Sequence, residues 1–344
     1  MAKMMKAIVW EGKNKWKHTE APIPEIAADE VLVKVAYTGI CASDVHIMTG
    51  RSGTEALLKP PRIPGHEFSG VVEDVGSLVT GIKKGDRIAP HPEGGCGACY
   101  YCKEGIDNFC TNKFSTISGP KVGTFCEYTV VKPKQVYHLT DNISLQDGAM
   151  VEPTAIAVHC VCDIAKVMPP EKVLVIGAGT IGLLNMLVAR LSGATLMIVS
   201  DPIGWKRDLA KKLGADIVVD PTKEDLAKVC MNATKGLGMD VVIEAVGAPK
   251  AIEAAFDLLA YKGRLVIDGW PPPSKISIDP AIFFWKEVEI KGSFFSPYSF
   301  QRTIDMLPNL NIKPLETHTF DLKDIDKAMK VMEDGTGIKV MLKP

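Results

Sequence analysis

No run of apolar residues in this 344-residue chain approaches the roughly 20 that a membrane-crossing helix needs. The opening residues, Met1-Ala2-Lys3-Met4-Met5-Lys6, lack the apolar centre of a secretory signal, so the expected compartment is the cytoplasm, with no membrane partner. An excess of one charge is missing too. Forty Lys and Arg stand against 41 Asp and Glu, a formal net charge of −1, which gives no reason to expect nucleic acid or an anionic surface as a partner. Nine cysteines are an odd number and cannot all pair. In a long chain without an export signal they argue against a disulfide framework and for metal ligation or buried thiols. Internal repeats and low-complexity segments are also lacking.

What is present is ordinary for a soluble protein with a large core: 46% hydrophobic and 24% charged residues. The length predicts two domains. Residues 1 to about 150 read as short strands, among them 31–36, 70–75 and 126–131, punctuated by Gly and Pro as at Pro60-Pro61 and Lys84-Gly85-Asp86. This is the pattern of a mainly antiparallel β domain. From about residue 155, strand candidates at 173–176, 196–200, 217–219, 241–244, 265–267 and 288–290 alternate with helical stretches such as 181–191 and 206–213. That alternation predicts a doubly wound parallel sheet. Leu191, Leu209 and Leu213 read as apolar scaffold positions on those helices. After about 295 the chain is expected to return to the first domain with helices at 300–307 and 322–332 and a strand at 338–342. The expected domains are therefore 1–154 with 295–344, and 155–294, and a cleft between two such domains is a common place for a cofactor.

Three groups of residues carry chemistry. Cys41, His66, Glu67 and Glu152 stand in Gly39-Ile40-Cys41-Ala42-Ser43-Asp44-Val45-His46, Gly65-His66-Glu67 and Glu152-Pro153. A thiolate, an imidazole and a carboxylate form a borderline-soft set that suits zinc and can leave one position open. Asp44 is placed to accept the second ring N–H of a ligating histidine, while Ser43 and His46 offer a route for a proton. Cys96, Cys99, Cys102 and Cys110 form Cys-x2-Cys-x2-Cys-x7-Cys in a loop with little apolar sequence. Four thiolates make a closed, structural zinc site. The rival is an iron–sulfur cluster, although the last gap is too long for the compact ferredoxin run. His91, just ahead of this loop, reads as structural, and Cys126, Cys160, Cys162 and Cys230 as buried thiols.

Gly177-Ala178-Gly179-Thr180-Ile181-Gly182 follows the apolar run 172–176. In this strand–turn–helix setting Gly177 makes the tight turn, Gly179 admits a pyrophosphate and Gly182 lets helix and strand approach. Asp201, 19 residues beyond Gly182, is placed to accept the ribose hydroxyls and repel a 2′-phosphate, which favours NAD over NADP. A Lewis-acid metal together with a dinucleotide points to hydride transfer from an alcohol.

These motifs share an order and spacing that resemble the zinc-dependent medium-chain alcohol dehydrogenase family along nearly the whole chain. The resemblance is carried by Gly-Ile-Cys-x-Ser-Asp-x-His at 39–46, Gly-His-Glu-Phe-x-Gly at 65–70, Gly-Asp-Arg at 85–87, the four-cysteine loop, Glu152-Pro153 and Gly-x-Gly-x-x-Gly at 177–182. It implies a GroES-like catalytic domain interrupted by a Rossmann domain, one catalytic and one structural zinc per chain, NAD, a small-molecule alcohol substrate and a homo-oligomer, tetramer or dimer. It also implies Cys41 and His66 as ligands and Lys206 beside the adenosine ribose, with Arg207 its neighbour. Sorbitol dehydrogenases use the glutamate of His-Glu, here Glu67, whereas Glu152 occupies the position of a third protein ligand; Glu152 is expected to lead.

Within the family, the Glu-Pro element and the 313–343 ending look like sorbitol and related polyol dehydrogenases. This implies oxidation of a secondary alcohol to a ketone. The stretch 199–216 also looks like threonine dehydrogenase, so L-threonine 3-dehydrogenase is the enzymatic alternative. A non-catalytic dinucleotide-sensing or zinc-binding regulator on the same scaffold is the alternative from another class. One departure is visible. Where sorbitol dehydrogenases have Gly-x-Phe-Arg-Tyr, this chain has Gly292-Ser293-Phe294-Phe295-Ser296, without the Arg-Tyr pair that contacts polyol hydroxyls.

Overall fold

The computed structural model describes residues 3–51, 58–117, 122–271 and 274–344. The chain forms two compact units. One comprises Met1–Glu152, Phe300–Pro308 and Leu315–Pro344, and the other Pro153–Ser299 and Asn309–Pro314.

The first unit begins with an antiparallel hairpin of β1 (Met4–Gly12) and β2 (Lys15–Pro22). Its main sheet contains β3 (Val31–Ile40), β4 (Glu67–Val75) and β5 (Arg87–Ile88). Two short strands, β6 (Glu93–Gly94) and β7 (Phe114–Ser115), pair beside the four-cysteine loop, and β8 (Tyr128–Val131) returns to β3. Alternation along β3 explains its burial. Val31, Val33 and Val35 face a core with Phe68, Val72 and Ile88. A second cluster joins Ile8 and Trp10 of β1 to Met48, Phe125 and Leu342.

The second unit is built on β9 (Lys172–Ile176), β10 (Leu196–Ser200), β11 (Ile217–Val219), β12 (Met239–Glu244), β13 (Leu259–Ile267) and β14 (Glu289–Gly292). All pairings are parallel, in the order β11-β10-β9-β12-β13-β14. This is the doubly wound arrangement, in which the strand order reverses beside β9. Residues 173–175 and 197–199 are wholly buried, as expected of strands covered on both faces. Helix Thr180–Leu191 follows β9 directly. Leu191 is 46% exposed and not a core position, because it ends that helix on the solvent side. Cys126, Cys160 and Cys230 are buried as read from the sequence, while Cys162 is half-buried.

The chain completes the first unit with β15 (Glu316–Asp321), helix Ile325–Glu333 and β16 (Lys339–Lys343). β16 lies between β15, to which it is parallel, and β3, to which it is antiparallel. A strand from residues 339–343 is thereby delivered beside Cys41.

Candidate metal centre and dinucleotide turn

Cys41 follows β3 directly and caps helix Ala42–Thr49. Its backbone N–H donates to Asp44 Oδ2 at 3.0 Å, which anchors the cysteine and the aspartate together. His66 and Glu67 arrive on the entry to β4, whose pairing sets Glu67 opposite Gly39. A Cβ on Gly39 would strike the Glu67 carboxylate, so only glycine leaves room for it. Among the described residues, the ligand atoms of Cys41, His66 and Glu67 all lie within 4.8 Å of one another.

Asp44 Oδ1 stands 3.5 Å from His66 Nδ1, and both side chains are buried. A proton on Nδ1 facing Asp44 leaves Nε2 as the donor nitrogen, the usual outer-shell device. Burial opposes a charge on His66, but the Asp44 carboxylate and Cys41 outweigh it and raise the pKa well above its ordinary value. A metal must therefore compete with a proton for this ring.

Glu67, rather than Glu152, stands in the gathered set. Glu152 lies nearby on helix Val151–Val158, 5% exposed. Burial pushes its pKa up to about 7; the His66 charge opposes this and the Glu67 charge adds to it. The expectation that Glu152 would lead came from family position, because spacing along the sequence gives no side-chain reach. Reading the sequence also missed Lys339. This lysine is 2% exposed, and its ammonium lies 2.5 Å from Glu67 Oε2. A lysine inside the apolar strand β16 was the available signal.

Ser43 lines a recess with Asp44, Gly65 and His66. His46 is exposed, and its pKa is held below the ordinary value by partial desolvation and then by the Arg51 charge.

The sulfurs of Cys96, Cys99, Cys102 and Cys110 also converge within 4.8 Å. Cys99 Sγ and Cys110 Sγ are 3.7 Å apart. Tetrahedral Zn–S bonds of about 2.3 Å require sulfur separations of about 3.8 Å, so the set fits zinc. Backbone N–H groups of Cys96, Cys99 and Asn112 point at cysteine sulfurs at 3.3–3.4 Å, as thiolates require. Backbone donation from Cys102 pulls the Cys99 thiol down to about 6, while burial pushes Cys102 up to about 12. Helix Tyr100–Lys103 within the loop buries no residue, so cross-linking has to replace a core there. His91 packs on Phe300 at 4.4 Å between ring centroids, in keeping with a structural place.

In the second unit Gly177 has φ +100°, and a Cβ on Gly182 would overlap the Gly177 carbonyl oxygen. A Cβ on Gly179 would meet nothing within 4 Å, which leaves that face of the turn open. Asp201 is buried. Its Oδ2 accepts from Ala178 N–H at 2.8 Å and its Oδ1 from Ile203 N–H at 2.8 Å, which fixes the carboxylate against the glycine turn. Lys206 is not brought onto that carboxylate; its ammonium lies 5.7 Å from the Trp205 ring centroid. Arg207 donates to the Asp201 carbonyl at 2.6 Å and pairs with Asp220 at 3.0 Å.

Family models describing an alcohol dehydrogenase GroES-like domain and a zinc-binding dehydrogenase match residues 27–141 and 180–309. D-xylulose reductase A of Aspergillus niger is 35% identical over 344 residues, covering 98% of this chain and 96% of the relative. Sorbitol dehydrogenase of Ovis aries is 35% identical over 342 residues with the same coverage. Among solved structures, an alcohol dehydrogenase from Escherichia coli CFT073 complexed with NADH superposes with a TM-score of 0.91 at 32% identity, covering 100% of both chains. A protein of the zinc-binding dehydrogenase type from Sinorhizobium meliloti 1021, bound to NADP, gives 0.92 at 32% identity, covering 99% of this chain and 100% of the other. Likeness of fold therefore does not choose between the two dinucleotides.

Proposed function

The chain belongs to the zinc-binding alcohol dehydrogenase family with a GroES-like domain, and from that premise we propose that it oxidises a secondary alcohol of a polyol or sugar-like substrate to a ketone, with NAD as hydride acceptor. The observation that carries this reading is the gathered Cys41–His66–Glu67 set, its histidine and glutamate buried, with Ser43 on the recess beside it. One thiolate, one imidazole and one carboxylate fit zinc with a position left open. When bound, zinc supplies a Lewis acid that lowers the pKa of the substrate hydroxyl, and NAD supplies the acceptor for the hydride.

The remaining work falls to side chains. Cys41, His66 and Glu67 hold the metal, and Glu152 stands as the alternate carboxylate. Lys339 balances Glu67 in the buried site, and Asp44 fixes the His66 ring. The Ser43 hydroxyl takes the alcohol proton and passes it toward His46. Its lowered pKa keeps that imidazole neutral at pH 7 and able to accept the proton, and its exposure lets it release the proton to water.

Cys96, Cys99, Cys102 and Cys110 hold a second, structural zinc. The open face of Gly179 and the start of helix Thr180–Leu191 receive the pyrophosphate. Asp201 accepts the ribose hydroxyls and disfavours a 2′-phosphate, with Lys206 close by in sequence. The relatives named for D-xylulose and sorbitol support a polyol-type substrate. The missing Arg-Tyr pair argues against sorbitol itself. The protein is placed in the cytoplasm, where its metal-binding thiols stay reduced. Assembly as a homodimer or tetramer is supported by exposed Tyr261, Phe284 and Trp285 on the unit that carries edge strand β14.

The test is NADH formation by zinc-loaded protein across polyols, sugar acids, sugar phosphates and amino alcohols including L-threonine, with zinc analysis alongside. The expected result is turnover of a polyol-type secondary alcohol and about two zinc ions per chain. No NADH from any secondary alcohol would overturn the reading, and turnover confined to L-threonine would replace the substrate class.

A further inference from the structure

A shallow recess open to solvent is bordered by Ser43, Asp44, Gly65 and His66. Trp10, Met48 and Ile117 contribute apolar wall, and among the described residues Arg62 is the one Lys or Arg that lines it. A guanidinium in such a wall can donate to neutral hydroxyls, but only an anionic group also answers its charge.

Arg62 is held in place by its backbone. Its N–H donates to the Trp10 carbonyl at 3.0 Å, and the Trp10 N–H donates back at 2.8 Å. The side chain is poorly satisfied by comparison. Nη2 reaches the Thr116 carbonyl only at 3.5 Å, and the buried Nε has no acceptor. Among the described residues no carboxylate lies within ion-pair distance of the guanidinium. Asp44 is the nearest candidate, but its oxygens serve the His66 ring and the Cys41 N–H. Burial lowers the Arg62 pKa and the Asp44 charge opposes this, but arginine remains a cation at neutral pH. Keeping the Nε–H from water without a partner is costly, so the position is one that an incoming acceptor would stabilise.

We propose that Arg62 determines substrate class: the alcohol oxidised at the Cys41–His66 end carries an anionic group, a carboxylate or a phosphate, that the guanidinium binds. A planar fork of donors suits either group in bidentate fashion. This deepens the dehydrogenase reading and rests on it. The substrates are then hydroxy acids of the sugar-acid kind or phosphorylated polyols.

The experiment compares matched triples on each pentitol and hexitol skeleton: neutral polyol, the corresponding aldonate and the terminal phosphate ester, such as D-glucitol, D-gluconate and D-glucitol 6-phosphate. NADH formation is followed with the parent protein, Arg62→Met and Arg62→Lys. The anionic member of at least one triple should exceed the neutral one in kcat/KM by roughly 10–100-fold, the span expected of a charge-assisted pair. Whether aldonate or phosphate gains identifies the source of the anion. Arg62→Met should raise KM for the anionic member far more than for the neutral one and so remove the preference, and Arg62→Lys should keep part of it. Equal use of neutral and anionic members on every skeleton overturns the proposal. So does an Arg62→Met variant that loses both alike, since the arginine then only braces Asp44. If no triple yields NADH, the dehydrogenase reading has failed on its own. Calorimetry with the same aldonates and phosphates then decides the role of Arg62: binding to the parent and not to Arg62→Met upholds it, and no binding to either overturns it.

Discussion

Lys339→Met removes a charge from beneath the metal centre while keeping most of the side chain's length, so packing against β3 changes little. The consequence is electrostatic. Lys339 and Glu67 side chains are each 2% exposed, and their charged atoms are 2.5 Å apart. At an effective dielectric constant of about 20 that separation is worth about 6–7 kcal/mol of attraction, most of it offset by the desolvation of both ions. Removing one partner is different, because the other stays buried and uncompensated, at about 3–5 kcal/mol. For a unit of this size the loss corresponds to a drop in Tm on the order of 6–20 °C. The assay is calorimetric melting, before and after a chelator strips the Cys41–His66 site. The full loss belongs to the stripped protein; zinc at Glu67 would supply a substitute cation and shrink it. Lys339→Met with Glu67→Gln should recover much of the loss, since neither partner is then left charged. The reasoning is refuted if stripped Lys339→Met melts within about 2 °C of the parent, a loss of no more than about 1 kcal/mol.

Ser43→Ala should lower kcat by roughly 10²–10⁴-fold with little effect on NAD affinity, a split read by steady-state kinetics and NAD titration; full kcat with chemistry rate-limiting would exclude the relay. Asp201→Ser should narrow a preference for NAD over NADP that is at least tenfold in the parent, about 1.4 kcal/mol, as compared by kcat/KM for the two cofactors. Glu152→Gln tests a pH dependence. The folded-state pKa is raised from 4.5 to about 7, so the folded protein holds the extra proton and metal-free stability falls as pH rises through that window. The variant should be more stable than the parent at pH 8 and indistinguishable below about pH 4.5, as shown by Tm across pH.

The parallel sheet was legible because strands buried on both faces leave continuous apolar runs. Residues 196–200 and 217–219 are strands at the bounds expected from sequence. The β1–β2 hairpin was not. Lys15–Pro22 has no fully buried position, and its polar alternation resembles a solvated loop. The turn does carry a signal, with Gly12 and Asn14 both at positive φ. The cysteine loop was legible because its ligands are close in sequence. The electrostatics of the other centre were hidden by distance along the chain. Lys339 is 272 residues from Glu67, and nothing local marks a buried lysine's partner. Arg207 shows the converse: adjacent to Lys206 in sequence, it is the residue that the fold ties to Asp201.

The position of β16 has a consequence for biosynthesis. Thr38–Ile40 of β3 find their ladder partners in β16, and Lys339 reaches back to Ile40 across 299 residues. At about 5–20 residues per second, a ribosome needs on the order of 15–60 s to make that intervening chain. During that interval a bare strand edge and a half-built metal pocket persist on the nascent protein. Such an edge can recruit the wrong strand from a neighbouring chain. The pocket also stays without its balancing lysine until translation has passed residue 339, so metal captured earlier would enter a site whose charge balance is still unfinished.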